Sequence, residues 1–235
     1  MGPFETSLFE ERGPLNPRKL ESSMSKDAPE TSSIQRFYDW LGPRYDWFDF
    51  YEGRAKEQAL QALDLEPGLS VLNAGIGTGK DQLKIQEKIQ PTGRVIGIDI
   101  SPKMLAVAQK RTLTNLVRAD IRRLPLANNC FDRLISTYVL DLIPRNDLVG
   151  LLKEFRRVLK PGGKVVLASL TAGVNLPSKM FVTVWELTYQ ISPLACGGCR
   201  PLKLAPLLEQ AGFDCVQSEV ILQFGVPSEL ATGIA

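Results

Sequence analysis

The sequence predicts an α/β fold, a doubly wound, Rossmann-like sheet of seven strands with a helical lid at its N-terminal side. The sheet is expected to be mostly parallel, with an antiparallel C-terminal strand. Three observations lead there. Short apolar runs alternate with segments of helical periodicity along most of the chain. The first apolar run, Val71-Leu72-Asn73-Ala74, enters three glycines spaced two apart, Gly75, Gly77 and Gly79. The next two apolar runs each end in a carboxylate, Asp99 and Asp120.

In chain order, residues 1–33 are rich in Pro, Glu, Ser and Lys without periodicity, and predict a disordered extension. Residues 34–235 then form one domain. Its first part, 34–66, reads as a helical lid: apolar spacing over 34–41, a break at Gly42-Pro43, an aromatic stretch over 44–51, and a helix over 54–63. After the strand at 71–74 and the glycine turn, a helix over 81–90 stops at Pro91 and Gly93. A second strand, 94–99, follows. Ser101-Pro102 opens the next helix, with Ser101 as N-cap and Pro102 at the first helical position. Strands at 116–120 and 131–137, a helix over 146–159 and a strand at 164–169 continue the alternation. Helices at 180–191 and 202–211 lead to strands at 213–216 and 219–224, close enough in sequence to pair as the antiparallel end of the sheet.

A hydrophobic fraction of 44% over 235 residues is ample for one core. The net charge of +2 gives no reason to expect nucleic acid as a partner. No apolar run approaches the roughly 20 residues that span a bilayer, and the N-terminus lacks a signal-peptide core. A cytoplasmic protein is expected, with peripheral membrane contact left open. Cys196-Gly-Gly-Cys199 has zinc-knuckle spacing, yet the chain has no histidine and a four-ligand site would need Cys130 and Cys215 as well. No metal is expected. The missing histidine also removes the usual general base near neutral pH.

In a doubly wound sheet, ligands lie beyond the carboxyl ends of the strands at the switch point beside the first one. Asp99 stands 20 residues after Gly79, where a carboxylate accepts hydrogen bonds from ribose hydroxyls. A dinucleotide remains open on that ground. The fingerprint for one would need a glycine at Lys80, however, and Asp120 is placed to accept from an adenine amino group. The combination suits an adenosine ligand without a pyrophosphate.

These motifs resemble those of the class I S-adenosylmethionine-dependent methyltransferases, over roughly residues 34–225. Asn73-Ala-Gly75-Ile-Gly77-Thr-Gly79 is similar to the family's acidic, glycine-rich first motif, and Gly97-Ile-Asp99-Ile-Ser101-Pro-Lys-Met104 to its second. Ala119-Asp120 with Leu124-Pro-Leu and Cys130-Phe-Asp resembles its third block, and Leu159-Lys-Pro-Gly-Gly-Lys164 the turn before the fifth strand. Tyr38-Asp-Trp followed by Tyr45-Asp resembles the branch of ubiquinone and menaquinone C-methyltransferases and phosphatidylethanolamine N-methyltransferases.

The resemblance implies S-adenosylmethionine as cofactor and S-adenosylhomocysteine as product. It places Gly75, Gly77 and Gly79, with Asn73 and Ile76, under the methionine part. Asp99 and Ile100 fall at the ribose, Met104 at the adenine face, and Asp120 with Ile121 at the adenine edge. Ser136, Thr137 and Tyr138 lie at the methionine end, and Tyr45 closes the pocket. One departure is plain: Asn73 stands where the family has an acidic residue, keeping shape and hydrogen bonding but losing charge.

A sulfonium methyl is already activated, so transfer needs in-line alignment more than a catalytic group. If a base is used, position alone suggests Tyr45, Tyr138 or Asp141. The aromatics of the lid and the apolar segment 174–200 imply a hydrophobic acceptor: a quinone precursor, a lipid amine or a lipophilic secondary metabolite. The competing readings are a non-catalytic binding or regulatory protein on the same fold, and a nucleotide-dependent oxidoreductase, which Lys80 disfavours.

Overall fold

The computed structural model describes residues 28–112 and 114–235, apart from the side chains of Pro43, Tyr45, Phe48 and Asp49. Most of the extension expected at 1–33 lies outside the described residues, and the chain is helical from Thr31. Helix α1 (Thr31–Leu41), a 3-10 turn (Gly42–Phe48) and α2 (Asp49–Ala62) precede the sheet. There follow β1 (Ser70–Ala74), α3 (Lys80–Ile89), β2 (Arg94–Asp99), α4 (Pro102–Arg111), β3 (Asn115–Arg118), β4 (Phe131–Thr137), α5 (Arg145–Val158) and β5 (Leu159–Leu170). The chain ends with α6 (Leu176–Ile191), α7 (Ala205–Gln210), β6 (Asp214–Gln223) and β7 (Val226–Ile234).

The seven strands are ordered β3-β2-β1-β4-β5-β7-β6. All pairings are parallel except those of β7, which runs antiparallel to both β5 and β6. The doubly wound sheet is the one the sequence predicts. Its central strands are apolar on both faces because helices cover both. Leu72, Leu134 and Val165 point into a cluster with Leu148, Leu152 and Phe155 of α5. Their neighbours Val71, Ile135 and Val166 point the other way, against Ala59 and Leu63 and against Ile85 of α3.

The C-terminal end differs from expectation. The segments at 213–216 and 219–224 are not two paired strands but one, β6, with a bulge between Asp214 and Gln217 where Cys215 has φ 50°. Its antiparallel partner is β7, which Pro227 and Gly233 disguise in the sequence. Phe224 and Gly225, both with positive φ, form the two-residue hairpin turn between them.

Glu229 of β7 is buried, and its carboxylate accepts from the backbone N–H of Leu204 and Ala205 at 2.9 and 3.1 Å, at the N-terminus of α7. The Thr171 hydroxyl donates to it at 3.3 Å. Removing a buried acceptor orphans these donors. Glu229→Ala is therefore expected to cost about 2 kcal/mol, a fall of roughly 4–8 °C in Tm by calorimetry.

Candidate active site

A cavity opens where the carboxyl ends of β1, β2 and β4 meet α1 and α2. Its floor is the turn after β1. Gly75 and Ile76 donate to the Ile98 carbonyl of β2 at 2.7 and 2.9 Å, so the turn folds back over the neighbouring strand. Gly75 has φ 83°, and a Cβ there would meet Val139 Cγ2 at 2.2 Å. Gly79, also at φ 83°, caps α3 and leaves room for Ala108 of α4, which a Cβ would approach at 3.0 Å. Glycine at these two positions is a packing requirement as well as a conformational one.

Asp99 organises the floor. Its two carboxylate oxygens accept from the Gly77 N–H and the Ser101 N–H, each at 2.9 Å. Burial pushes its pKa above the ordinary value, and those backbone donors offset part of that rise. Asp120 lies beyond β3, not within it, and is engaged more heavily than the sequence suggests. Both its oxygens take the Arg122 guanidinium, at 2.6 and 3.1 Å, and Arg122 continues to Asp147 and to the Thr31 hydroxyl of α1. The Arg122 backbone N–H adds a further bond at 2.9 Å, so the carboxylate that lines the cavity is already heavily engaged.

Of the residues singled out from sequence, Asn73, Gly75, Ile76, Gly77, Asp99, Ile100, Met104, Asp120, Ile121, Thr137 and Tyr138 line the cavity together. Three do not. Gly79 sits behind the turn, and the buried Ser136 hydroxyl donates to the Ala74 carbonyl at 2.7 Å, bracing β4 on β1. Asp141 is buried behind the wall. Tyr45 falls in the 3-10 turn, with its side chain outside the described residues.

Sequence reasoning missed the lid's polar anchors. Asp39 of α1 accepts from the Ser101 hydroxyl at 2.6 Å and the Lys103 N–H at 3.3 Å. Asp46 accepts from the Thr78 hydroxyl at 2.5 Å and from Arg111 at 2.6 Å, with Lys80 at 3.6 Å. Burial alone would raise the Asp46 pKa, but Arg111 and Thr78 outweigh it and hold it below the ordinary range. These partners are 32 to 65 positions away, so no local spacing could reveal them.

The far end of the cavity carries a second polar group. Lys56 of α2 lines it, pairs with buried Glu52 at 2.7 Å and sits 5.7 Å from the Tyr138 ring centroid. Tyr138 has φ 55° and shares a 2.6 Å hydrogen bond with Ser228 of β7. Burial and Glu52 push its phenol well above the usual range. Asp141 is pushed up to about 7, first by burial and then by Glu52, against the pull of Arg200 and of nearby backbone N–H groups. Neither of its oxygens closes a hydrogen bond. Arg200 donates to the carbonyls of Asp141, at 3.2 Å, and Ile143.

Fold and cavity define a doubly wound protein with a cleft at its switch point. The profile described as "Methyltransferase domain" matches residues 71–163, from the first strand to the turn within β5. A 2-phytyl-1,4-naphtoquinone methyltransferase of Trichormus variabilis is 29% identical over 84% of this chain and 92% of its own. A demethylmenaquinone methyltransferase of Shouchella clausii is 37% identical over 47% of this chain, which spans 49% of that relative's length. Among solved structures, a Haemonchus contortus phosphoethanolamine N-methyltransferase in complex with S-adenosyl-L-methionine superposes with TM-score 0.62 at 16% identity. It covers 84% of this chain and 59% of its own, and at that identity it speaks to the fold alone. Residues 71–163 thus carry a methyltransferase domain, and the chain is similar in sequence to quinone-related methyltransferases and in fold to an enzyme that holds S-adenosylmethionine.

The residues present fit that cofactor. Asp99 keeps lone pairs for ribose hydroxyls, Ile76, Ile100, Met104 and Ile121 supply apolar walls for a flat base, and the turn exposes backbone around them. Asp99→Ala is expected to weaken S-adenosylmethionine binding by at least about 1 kcal/mol in calorimetry, because charge-assisted hydrogen bonds are lost.

Proposed function

We propose that this enzyme methylates a lipophilic ring acceptor bearing an ionisable hydroxyl, of the quinol type. The observation that carries the reading is the far end of the cavity. Ile34, Tyr38, Leu142 and Ile143 line the same cavity as a buried amine, Lys56, which lies beside the Tyr138 ring. The quinone-related relatives at modest identity support the same acceptor class.

The cofactor supplies an electrophilic methyl group on a sulfonium. The chain's own part is to orient, to exclude water and to handle one proton. Asn73 and the glycine turn would hold the methionine end, Thr137 and Tyr138 its side nearest the acceptor, and Asp120 with Ile121 the adenine edge. Tyr45 would complete the lid. Lys56 would hold the acceptor's oxygen and stabilise its ionised form, since an oxyanion beside an ammonium in a dry site is strongly favoured. When the methyl bonds to the acceptor, the acceptor must release a proton. Of the candidate bases, Tyr138 is the poorer one, because its hydroxyl is bonded to Ser228 and its pKa is raised. Glu52, buried against Lys56, and buried Asp141, which feels the Glu52 charge, are the remaining carboxyls, and we assign the proton to these two.

Two measurements test this. With labelled cofactor, hydroxylated lipophilic rings should be methylated and small polar acceptors should not, and the opposite preference overturns the reading. Lys56→Met should lower kcat/KM by about 10- to 100-fold with cofactor affinity unchanged, the size of a lost charged contact.

Asp141 also has a stability signature. Its folded pKa of about 7 lies above the ordinary 3.8. The folded state therefore binds the proton more tightly, and stability falls as pH rises through that window. Asp141→Asn removes the dependence. Relative to wild type it should gain about 4 kcal/mol between pH 4 and pH 8 in denaturant titrations.

A further inference from the structure

Helix α6 carries its apolar residues outward. Leu176, Met180, Val184, Leu187 and Ile191 are 72%, 62%, 63%, 55% and 86% exposed. At 100° per residue they fall within about a quarter of the helix circumference and run its full length of about 24 Å. The opposite side, with Ser178, Val182 and Trp185, faces the protein. Lys179 and Glu186 are the helix's only ionisable residues of either sign besides Tyr189, and neither lies in the stripe. A helix with this arrangement is inverted relative to an ordinary surface helix.

The protein-facing side of α6 is tied to the cavity wall through residues 197–199. The Trp185 indole donates to the Cys199 carbonyl at 2.9 Å. The glycines before Cys199 press on the cavity wall: Gly197 lies against Phe37 and Tyr38, and Gly198 against Leu142 and Ile34. Tyr38, Leu142 and Ile34 all line the cavity. Trp40, 69% exposed, sits 6.2 Å from Phe37 by ring centroids.

We propose that α6 is a membrane-docking face, laying its stripe into the acyl surface of a lipid bilayer. Two observations choose lipid over a second copy of this chain. Five aliphatic side chains offering roughly 100 Å² each fall short of the ~800 Å² per partner that a stable interface buries. The stripe also lacks the aromatic, arginine and hydrogen-bonding anchors that give protein interfaces their hot spots, whereas fluid acyl chains need none. Trp40 of α1, itself exposed, has the amphipathic ring favoured at the headgroup level. No helix among the described residues is long and apolar enough to cross a membrane, so the helix would lie in the interface.

The test is flotation of the full chain with phosphatidylcholine vesicles, read without turnover and so independent of the acceptor. Wild type should float with the vesicles, and M180E/V184E/L187E should lose at least about tenfold in partitioning. Its cofactor affinity should stay unchanged. As a check that needs no disruptive variant, an environment-sensitive dye on Met180→Cys should shift blue on vesicles, and the same dye on Lys84→Cys of α3 should not. Wild type that fails to float, or a triple variant that floats equally, overturns the proposal. So does a dimer in light scattering that the triple variant dissolves while vesicle binding persists.

Discussion

The two hydrogen bonds accepted by Asp99 hold the functional end of this molecule together. One carboxylate, placed by the last residue of β2, fixes the middle of the glycine turn through Gly77 and the start of α4 through Ser101. Without a buried acceptor at that spot, both N–H groups would be orphaned at helix-start geometry, where donors are in surplus. The raised pKa of Asp99 records the cost of keeping a charge there. That cost is tolerated because the same carboxylate faces the cavity with lone pairs to spare.

The lid is tied to the same elements. Asp39 bonds the hydroxyl of Ser101, whose N–H Asp99 already holds, and Asp46 reaches Thr78 in the glycine turn and Arg111 at the end of α4. Arg122 links Asp120 to Thr31 in the same manner. The lid thus touches the loops after β1, β2 and β3 through short contacts to charged groups. Its other side differs: there Phe37 and Ile34 lie beside the glycines at 197–198, and the Tyr38 hydroxyl donates to the Gly197 carbonyl at 3.4 Å. One lid reaches those loops through charged groups, and brings Ile34 together with the Lys56–Glu52 pair to the rest of the cavity.

The alternation of apolar runs and helical periodicity made the parallel part of the sheet legible, since buried strands and amphipathic helices leave period and punctuation in the sequence. The glycine turn, Asp99 and Asp120 were legible for the same reason: they occur at fixed positions relative to strands. The seventh strand was not, because Pro227 and Gly233 lower its strand propensity and only pairing with β5 and β6 makes it a strand. Lys56, Glu52, Asp39 and Asp46 were equally hidden, being ordinary polar residues on a helical segment until the fold buries them. Ser136 was misread in the opposite sense. It lies at the end of β4 as expected, but strand alternation turns its hydroxyl inward while Thr137 faces the cavity.

The position of β7 between β5 and β6 couples the cavity to the far side of the sheet. β6 joins the sheet only through β7, so the hairpin docks as a unit, and its docking delivers Ser228 to Tyr138. Whatever steadies Tyr138 from the cavity side therefore also steadies the hairpin. The backbone amides of β7 would then exchange with solvent more slowly when the cavity is filled, although no ligand comes near most of them. An isotope-exchange map of this strand would read occupancy from outside the pocket, and it would do so whatever acceptor the enzyme takes.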